Sequence, residues 1–150
     1  MRTRTYRSAV AAVLGTLLLG LGAAQASAAL PPIHHSGPVQ YLSGGVGQDE
    51  AQAIESASKQ WPLTLEFAIK DKAHSDFAAA VDVHVRDAKG HTVLKTTSSG
   101  PFLLAKLPAG HYGVDASLRG KTLHENLVVS TGQPTRHVFL WPQGTDEGRS

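Results

Sequence analysis

The chain has 150 residues, 41% of them apolar and 17% charged, with no cysteine; that gives one hydrophobic core, not two, and excludes disulfide bracing and thiolate metal sites. The basic excess of 14 residues against 12 acidic ones is confined to the start, where Arg2, Arg4 and Arg7 stand with no acid among them. From Ala29 onward 11 basic side chains face 12 acidic ones, so the charge offers no basis for binding nucleic acid or an anionic membrane.

The first 28 residues read as a signal peptide. Three arginines lead into the apolar run Ala9 to Leu21, which is shorter than the roughly 20 residues that span a bilayer, and Ala26-Ser27-Ala28 offers the small residues a signal peptidase reads. Cleavage is expected after Ala28, with Ala26 as the alternative. The remainder is expected to be periplasmic or secreted, with no membrane attachment once the leader is gone.

Residues 29–48 are rich in Pro, Gly and Ser and predict an extended arm, with a short strand at Val39 to Leu42. The segment Ser43-Gly44-Gly45-Val46-Gly47 precedes a helix but lacks the Lys-Ser/Thr ending of a phosphate loop, and Asp49 and Glu50 would repel phosphate. It reads as a hinge. A short helix is predicted over Asp49 to Ser58, with Asp49 as N-cap, Gln52 completing a capping box, and Ala51, Ile54 and Ala57/Ser58 on the buried side.

From Trp61 the apolar period becomes two. Leu63, Leu65, Phe67 and Ile69 alternate with Thr64, Glu66, Ala68 and Lys70, the pattern of a half-buried strand. Residues 71–78 predict a polar connection, and Val81, Val83 and Val85 a second strand. The turn Asp87-Ala88-Lys89-Gly90 is expected to carry a bulge at Gly90 that pairs Val85 with Val93. Further strands follow at Thr92 to Thr97, Phe102 to Lys106, Tyr112 to Leu118, Thr122 to Val129 and Thr135 to Trp141. Leu107-Pro108-Ala109-Gly110 reads as a tight hairpin reversal with Gly110 left-handed. Residues 142–150 have no apolar anchor and predict a loose tail.

Seven short strands punctuated by Gly and Pro predict an all-β fold: a seven-stranded antiparallel Greek-key β-sandwich with one short N-terminal helix. The expected organisation is signal peptide 1–28, arm and helix 29–60, sandwich 61–141 and tail 142–150. The core is predicted from Phe67, Val83, Val85, Phe102, Leu104, Tyr112, Val114 and Val129.

Residues 81–129 also carry an ordered motif: V-x-V-x-V-x-D-x-x-G, then Gly100 and Phe102, then L-P-A-G-x-Y-x-V from Leu107 to Val114, then Gly120 and Val128-Val129. This resembles the carboxypeptidase regulatory-like domain, a transthyretin-like (prealbumin-like) sandwich. The resemblance covers about 50 residues well and about 80 loosely. It implies a structural or binding module without chemistry of its own, because the matched positions are turns and core rather than peptidase zinc ligands.

Candidate chemistry is sparse. Eight histidines are present, yet no pair has helical metal-ligand spacing; His34 and His35 on the arm are the candidates for weak Cu²⁺ or Zn²⁺ binding. No G-x-S-x-G elbow marks a triad, and Asp82, Asp87 and Asp115 are assigned to outward strand positions or a turn. No catalytic residue and no cofactor is therefore expected. Trp61, Trp141 and Tyr41 are the ligand-binding candidates, as rings able to stack on a sugar face or enter a partner's groove. The expected function is an exported non-catalytic binding or structural module whose partner is a protein or polysaccharide of the cell envelope. The alternatives are a carbohydrate-binding module and weak Cu/Zn binding through His34 and His35.

Overall fold

The structure is a computed structural model that describes residues 29–72 and 74–146; the expected signal peptide, its cleavage site and the end of the tail lie outside the described residues. In chain order the elements are β1 (His34–Ser36), β2 (Val39–Gly44), α1 (Gln48–Ser58), β3 (Leu63–Lys70), β4 (Ser75–Phe77), β5 (Asp82–Arg86), β6 (Thr92–Thr97), β7 (Phe102–Lys106), β8 (Gly110–Leu118), β9 (Lys121–Val129) and β10 (Thr135–Trp141). They form two sheets. The first runs β1-β2-β7-β3-β10 with β4 also on β3, and the second runs β6-β5-β8-β9. An all-β two-sheet architecture with one short helix is what the alternating pattern required. Among the described residues no helix is long and apolar enough to cross a membrane.

Several details differ from expectation. Among the described residues there are ten strands, not seven, in part because the arm is not free: β1 and β2 form a hairpin, and β2 pairs with β7 from Gln40↔Lys106 to Gly44↔Phe102. This covers an edge of β7 that would otherwise expose unpaired backbone groups. The polar connection contains β4, which pairs antiparallel with the end of β3. Nor is every pair antiparallel. β10 runs parallel to β3, from Thr135↔Leu63 to Trp141↔Ile69. The link after β9 changes sheets and enters beside the start of β3, where Thr135 N donates to Pro62 O at 2.9 Å, and that entry point sets the direction.

The Leu107–Gly110 reversal is likewise a sheet crossing, not a hairpin. β7 belongs to the first sheet and β8 to the second. Leu107 stays buried, and the Tyr112 hydroxyl donates to Pro108 O at 2.6 Å, fixing the corner. Gly110 is not left-handed; it opens β8 opposite Val129. At the β5–β6 turn a bulge does occur, but the extra residue is Val93: Val85 pairs with Leu94 and Arg86 with Thr92. Leu94 is fully buried whereas Val93 is only partly so, and burial of the larger side chain decides the register.

Two apolar clusters hold the fold. The larger lies between the sheets and includes Leu65, Phe67, Val83, Val85, Leu94, Val114, Phe139 and Trp141. The smaller lies on the outer side of the first sheet, where Ile54 of α1 packs on Leu42, Trp61, Phe102 and Leu104. Phe102 and Leu104 therefore belong under the helix rather than in the central core. For the same reason β3 is not half-buried: Thr64 and Ala68 are as covered as the residues opposite them. The helix starts one residue early, at Gln48, with Gly47 as N-cap and no side-chain cap, so Asp49 does not cap it. Glu50 instead reaches back to accept from Gly45 N at 2.7 Å. Arg136 on β10 fastens the helix, donating to both carboxylate oxygens of Glu55 at 2.8 and 2.7 Å and to Glu66 on β3 at 2.6 Å.

Candidate functional site

Because the helix covers much of the first sheet's outer face, the open broad face belongs to the second sheet. Strand alternation sends Asp82, His84 and Arg86 of β5, Asp115 and Ser117 of β8, and Thr122, His124 and Asn126 of β9 outward. The register then aligns them in rows: Lys95, His84, Asp115 and His124 in one, Thr97, Asp82, Ser117 and Thr122 in the next, and Arg86, Gly113 and Asn126 in a third.

These side chains bond across strands. Arg86 Nη1 lies 2.8 Å from Asp115 Oδ2, and His124 Nδ1 lies 2.6 Å from Asp115 Oδ1. Arg86 Nη2 meets His84 Nδ1 at 3.1 Å. A guanidinium only donates, so His84 Nδ1 accepts and its Nε2–H is donated to Thr92 Oγ1 at 2.6 Å. His124 Nε2 faces Asn126 Oδ1 at 3.3 Å, Thr97 donates to Asp82 at 2.6 Å, and Ser117 and Thr122 share a hydroxyl bond. The electrostatics follow. The hydrogen bond from His124, reinforced by Arg86, holds the Asp115 carboxyl below the usual carboxylate range, and the same bond raises the His124 imidazole above the usual histidine range. At the neighbouring turn the backbone N–H groups of His91 and Lys89 hold Asp87 low and ionised.

The residues singled out from sequence are placed elsewhere. Trp141 is fully buried against Phe67 and Phe139, with its indole N–H donated to Lys121 O at 2.9 Å. It has no face to offer a sugar, because its ring lies in the core between the two sheets. Trp61 is 7% exposed, packed under α1 with Lys106 Nζ 5.0 Å above its ring. Tyr41 is half-buried, accepting from Thr96 Oγ1 at 3.3 Å and lying beside the His34 ring at 5.5 Å. None of the three is an open stacking platform. His34 and His35 are exposed neighbours on β1, and successive strand residues point to opposite faces. The alternation works against one ion between them.

The Arg86–Asp115–His124 network is not visible in the sequence, because its members are distant along the chain and only the strand register makes them neighbours. A second group is brought together by the fold: ligand atoms of Asp71, His74 and Asp76 lie within 4.8 Å of one another at the β3–β4 turn.

No protein-family model matches the chain, and no curated protein matches it.

Proposed function

We propose that this chain is an exported, non-catalytic binding or structural module of the carboxypeptidase regulatory-like class, a prealbumin-like Greek-key sandwich that engages a protein or polysaccharide of the cell envelope. The engaging surface in this reading is the outer face of the β6-β5-β8-β9 sheet. The observation that carries it is how His124 is used. Asp115 and His124 have the geometry of an acid–base dyad, yet the second imidazole nitrogen faces the amide oxygen of Asn126 at 3.3 Å, where a hydrolase would place its nucleophile. Both nitrogens are thereby committed to fixed polar partners, as in a surface that recognises rather than reacts. The buried Trp61 and Trp141 shift any carbohydrate reading from ring stacking to hydrogen bonding on this face.

Backbone amide shifts under titration with a panel of envelope polysaccharides, their fragments and envelope peptides test the reading. A binding partner should perturb His84, Asp115, Ser117 and His124 together. A partner whose shifts fall only on the helix side of the first sheet, or a panel that moves nothing, refutes it.

A further inference from the structure

Away from the polar face, donor atoms converge at the turn that joins β3 to β4. Asp71 N donates to His74 O at 2.9 Å, and Lys72 N donates to Asp71 Oδ1 at 2.6 Å. One oxygen of Asp71 is thus taken by the backbone, and the other, Oδ2, faces the imidazole. The register of β4 on β3, Lys70↔Ser75 and Ile69↔Asp76, brings Asp76 back to the same place. His74 Nε2 then lies 3.9 Å from Asp71 Oδ2 and 3.7 Å from Asp76 Oδ1. One ligand atom from each residue falls within 4.8 Å of the other two.

Two features separate this group from a turn that is merely acidic. The first is its nitrogen donor. Among the described residues His74 is the one imidazole with two carboxylates within 4.0 Å; His91, His124 and His137 each have one. The second is that the three atoms are not bonded to one another. Separations of 3.7 and 3.9 Å are too long for hydrogen bonds, whereas His124 and Asp115 close to 2.6 Å. Lys70 and Lys72 flank the turn along the chain, yet among the described residues no lysine or arginine forms an ion pair with either carboxylate. Two ionised carboxylates this close repel each other, and a neutral imidazole leaves that repulsion uncompensated.

The spacing suits a divalent ion. Tetrahedral coordination about 2.1 Å from each donor sets the donors about 3.4 Å apart. The imidazole stands within about 0.5 Å of that separation from each carboxylate, and rotation of the exposed Asp76 closes the remaining span. Calcium takes roughly six to eight oxygen ligands, which three donors, one of them an imidazole, do not supply. Zinc accepts imidazole and carboxylate together, and where the protein gives three ligands it keeps a water in the fourth position.

We propose that Asp71, His74 and Asp76 form a site for one divalent transition-metal ion of the zinc class, completed by water, that pins β4 to the end of β3. The site is independent of the reading of the polar face. It also differs from the adjacent His34 and His35, whose side chains alternate across β1 instead of converging. β4 is an element on which such a pin has an effect. Its three residues are all exposed and pair with β3 alone, and from them the chain leaves for β5 in the second sheet. An ion held by residues 71 and 76 closes the loop between them and restrains β4 without altering the core.

The probe is Zn²⁺ added to the tag-free chain, with Ca²⁺ at equal concentration as the oxygen-seeking counterpart, followed by calorimetry, backbone amide shifts and hydrogen exchange. Zn²⁺ should move the amides of residues 70–77, slow exchange in β4, and bind at least about tenfold more tightly than Ca²⁺. His74→Ala and, separately, Asp76→Asn replace side chains that are 69% and 60% exposed. Each should keep the native spectrum and weaken Zn²⁺ binding by about tenfold or more, and either alone suffices as a test. The double variant His34→Ala, His35→Ala should bind at this turn as the parent does. Any one of four results overturns the proposal: shifts centred on β1, equal affinity for Ca²⁺, undiminished Zn²⁺ binding in a folded His74→Ala or Asp76→Asn, or β4 exchange that Zn²⁺ does not slow.

Discussion

Phe102→Ala separates the two clusters. Phe102 is 2% exposed, and its ring fills the layer between α1 and the first sheet, with Leu42, Ile54, Trp61 and Leu104 around it. Phe77 lies 6.2 Å from it centroid to centroid, and the Arg136 guanidinium sits 5.8 Å over its face. Emptying such a site costs about 3–5 kcal/mol, since a stiff β-strand floor cannot collapse into the void. For a domain of this size each kcal/mol lowers Tm by about 4 °C, so melting should fall by roughly 12–20 °C in calorimetry. The loss should also be local: hydrogen exchange should accelerate first in α1 and β2, while Val83, Val85 and Val114 between the sheets keep their protection. A variant that melts within about 2 °C of the parent would falsify the packing described here, and so would uniform loss of protection in both clusters.

Gly45→Ala probes the same layer from the backbone. Gly45 has φ +98° and an added Cβ would stand 2.5 Å from Phe102 Cδ2, so strain and clash together should cost at least about 2 kcal/mol in urea unfolding. Trp141→Phe keeps most of the apolar volume but removes the indole bond to Lys121 O, and should cost about 0.5–1.5 kcal/mol through that bond; an unchanged urea midpoint would show that the indole bond contributes nothing. The Asp115–His124 pair predicts a pH profile. His124 has a raised pKa, so its contribution is complete below about pH 6.5 and is lost as pH rises through the folded value; Asp115 has a lowered one, so its contribution is complete above about pH 4 and is lost as pH falls through the folded value. The parent should exceed His124→Gln by no more than about 1 kcal/mol between those limits, given the exposure of both groups, with the gap closing in alkaline solution; a gap that widens there contradicts the assignment.

Period-two patterning made most strand positions readable, because residues such as Val83, Val85, Val114 and Ala116 face a shared interior and the residues between them face water. What it did not carry was which strands neighbour each other. Leu107-Pro108-Ala109-Gly110 has the composition of a hairpin, and nothing local distinguishes a reversal within a sheet from a crossing between sheets. The same limit hid the parallel pairing of β10 with β3 and the edge role of β2. Nor does the sequence show whether Trp61 and Trp141, each before a proline, are open to a ligand: Trp61 lies in the cluster under α1 and Trp141 in the core between the sheets. Asp115 and His124 look unrelated until the register of β8 and β9 places them side by side.

The asymmetry of the two outer faces follows from one residue set. Glu55, Glu66 and Arg136 fasten α1 across β3 and β10, and the apolar side chains of β2 and β7 demand that cover. The second sheet has no such apolar outer row, since its outward positions are polar or charged apart from Gly113 and the half-exposed Val128. Its strands are held by backbone ladders and by the core on the inner side, so those outward residues are free of packing constraints. Substitutions among them should leave folding little changed, whereas substitutions on the first sheet's outer face should destabilise it.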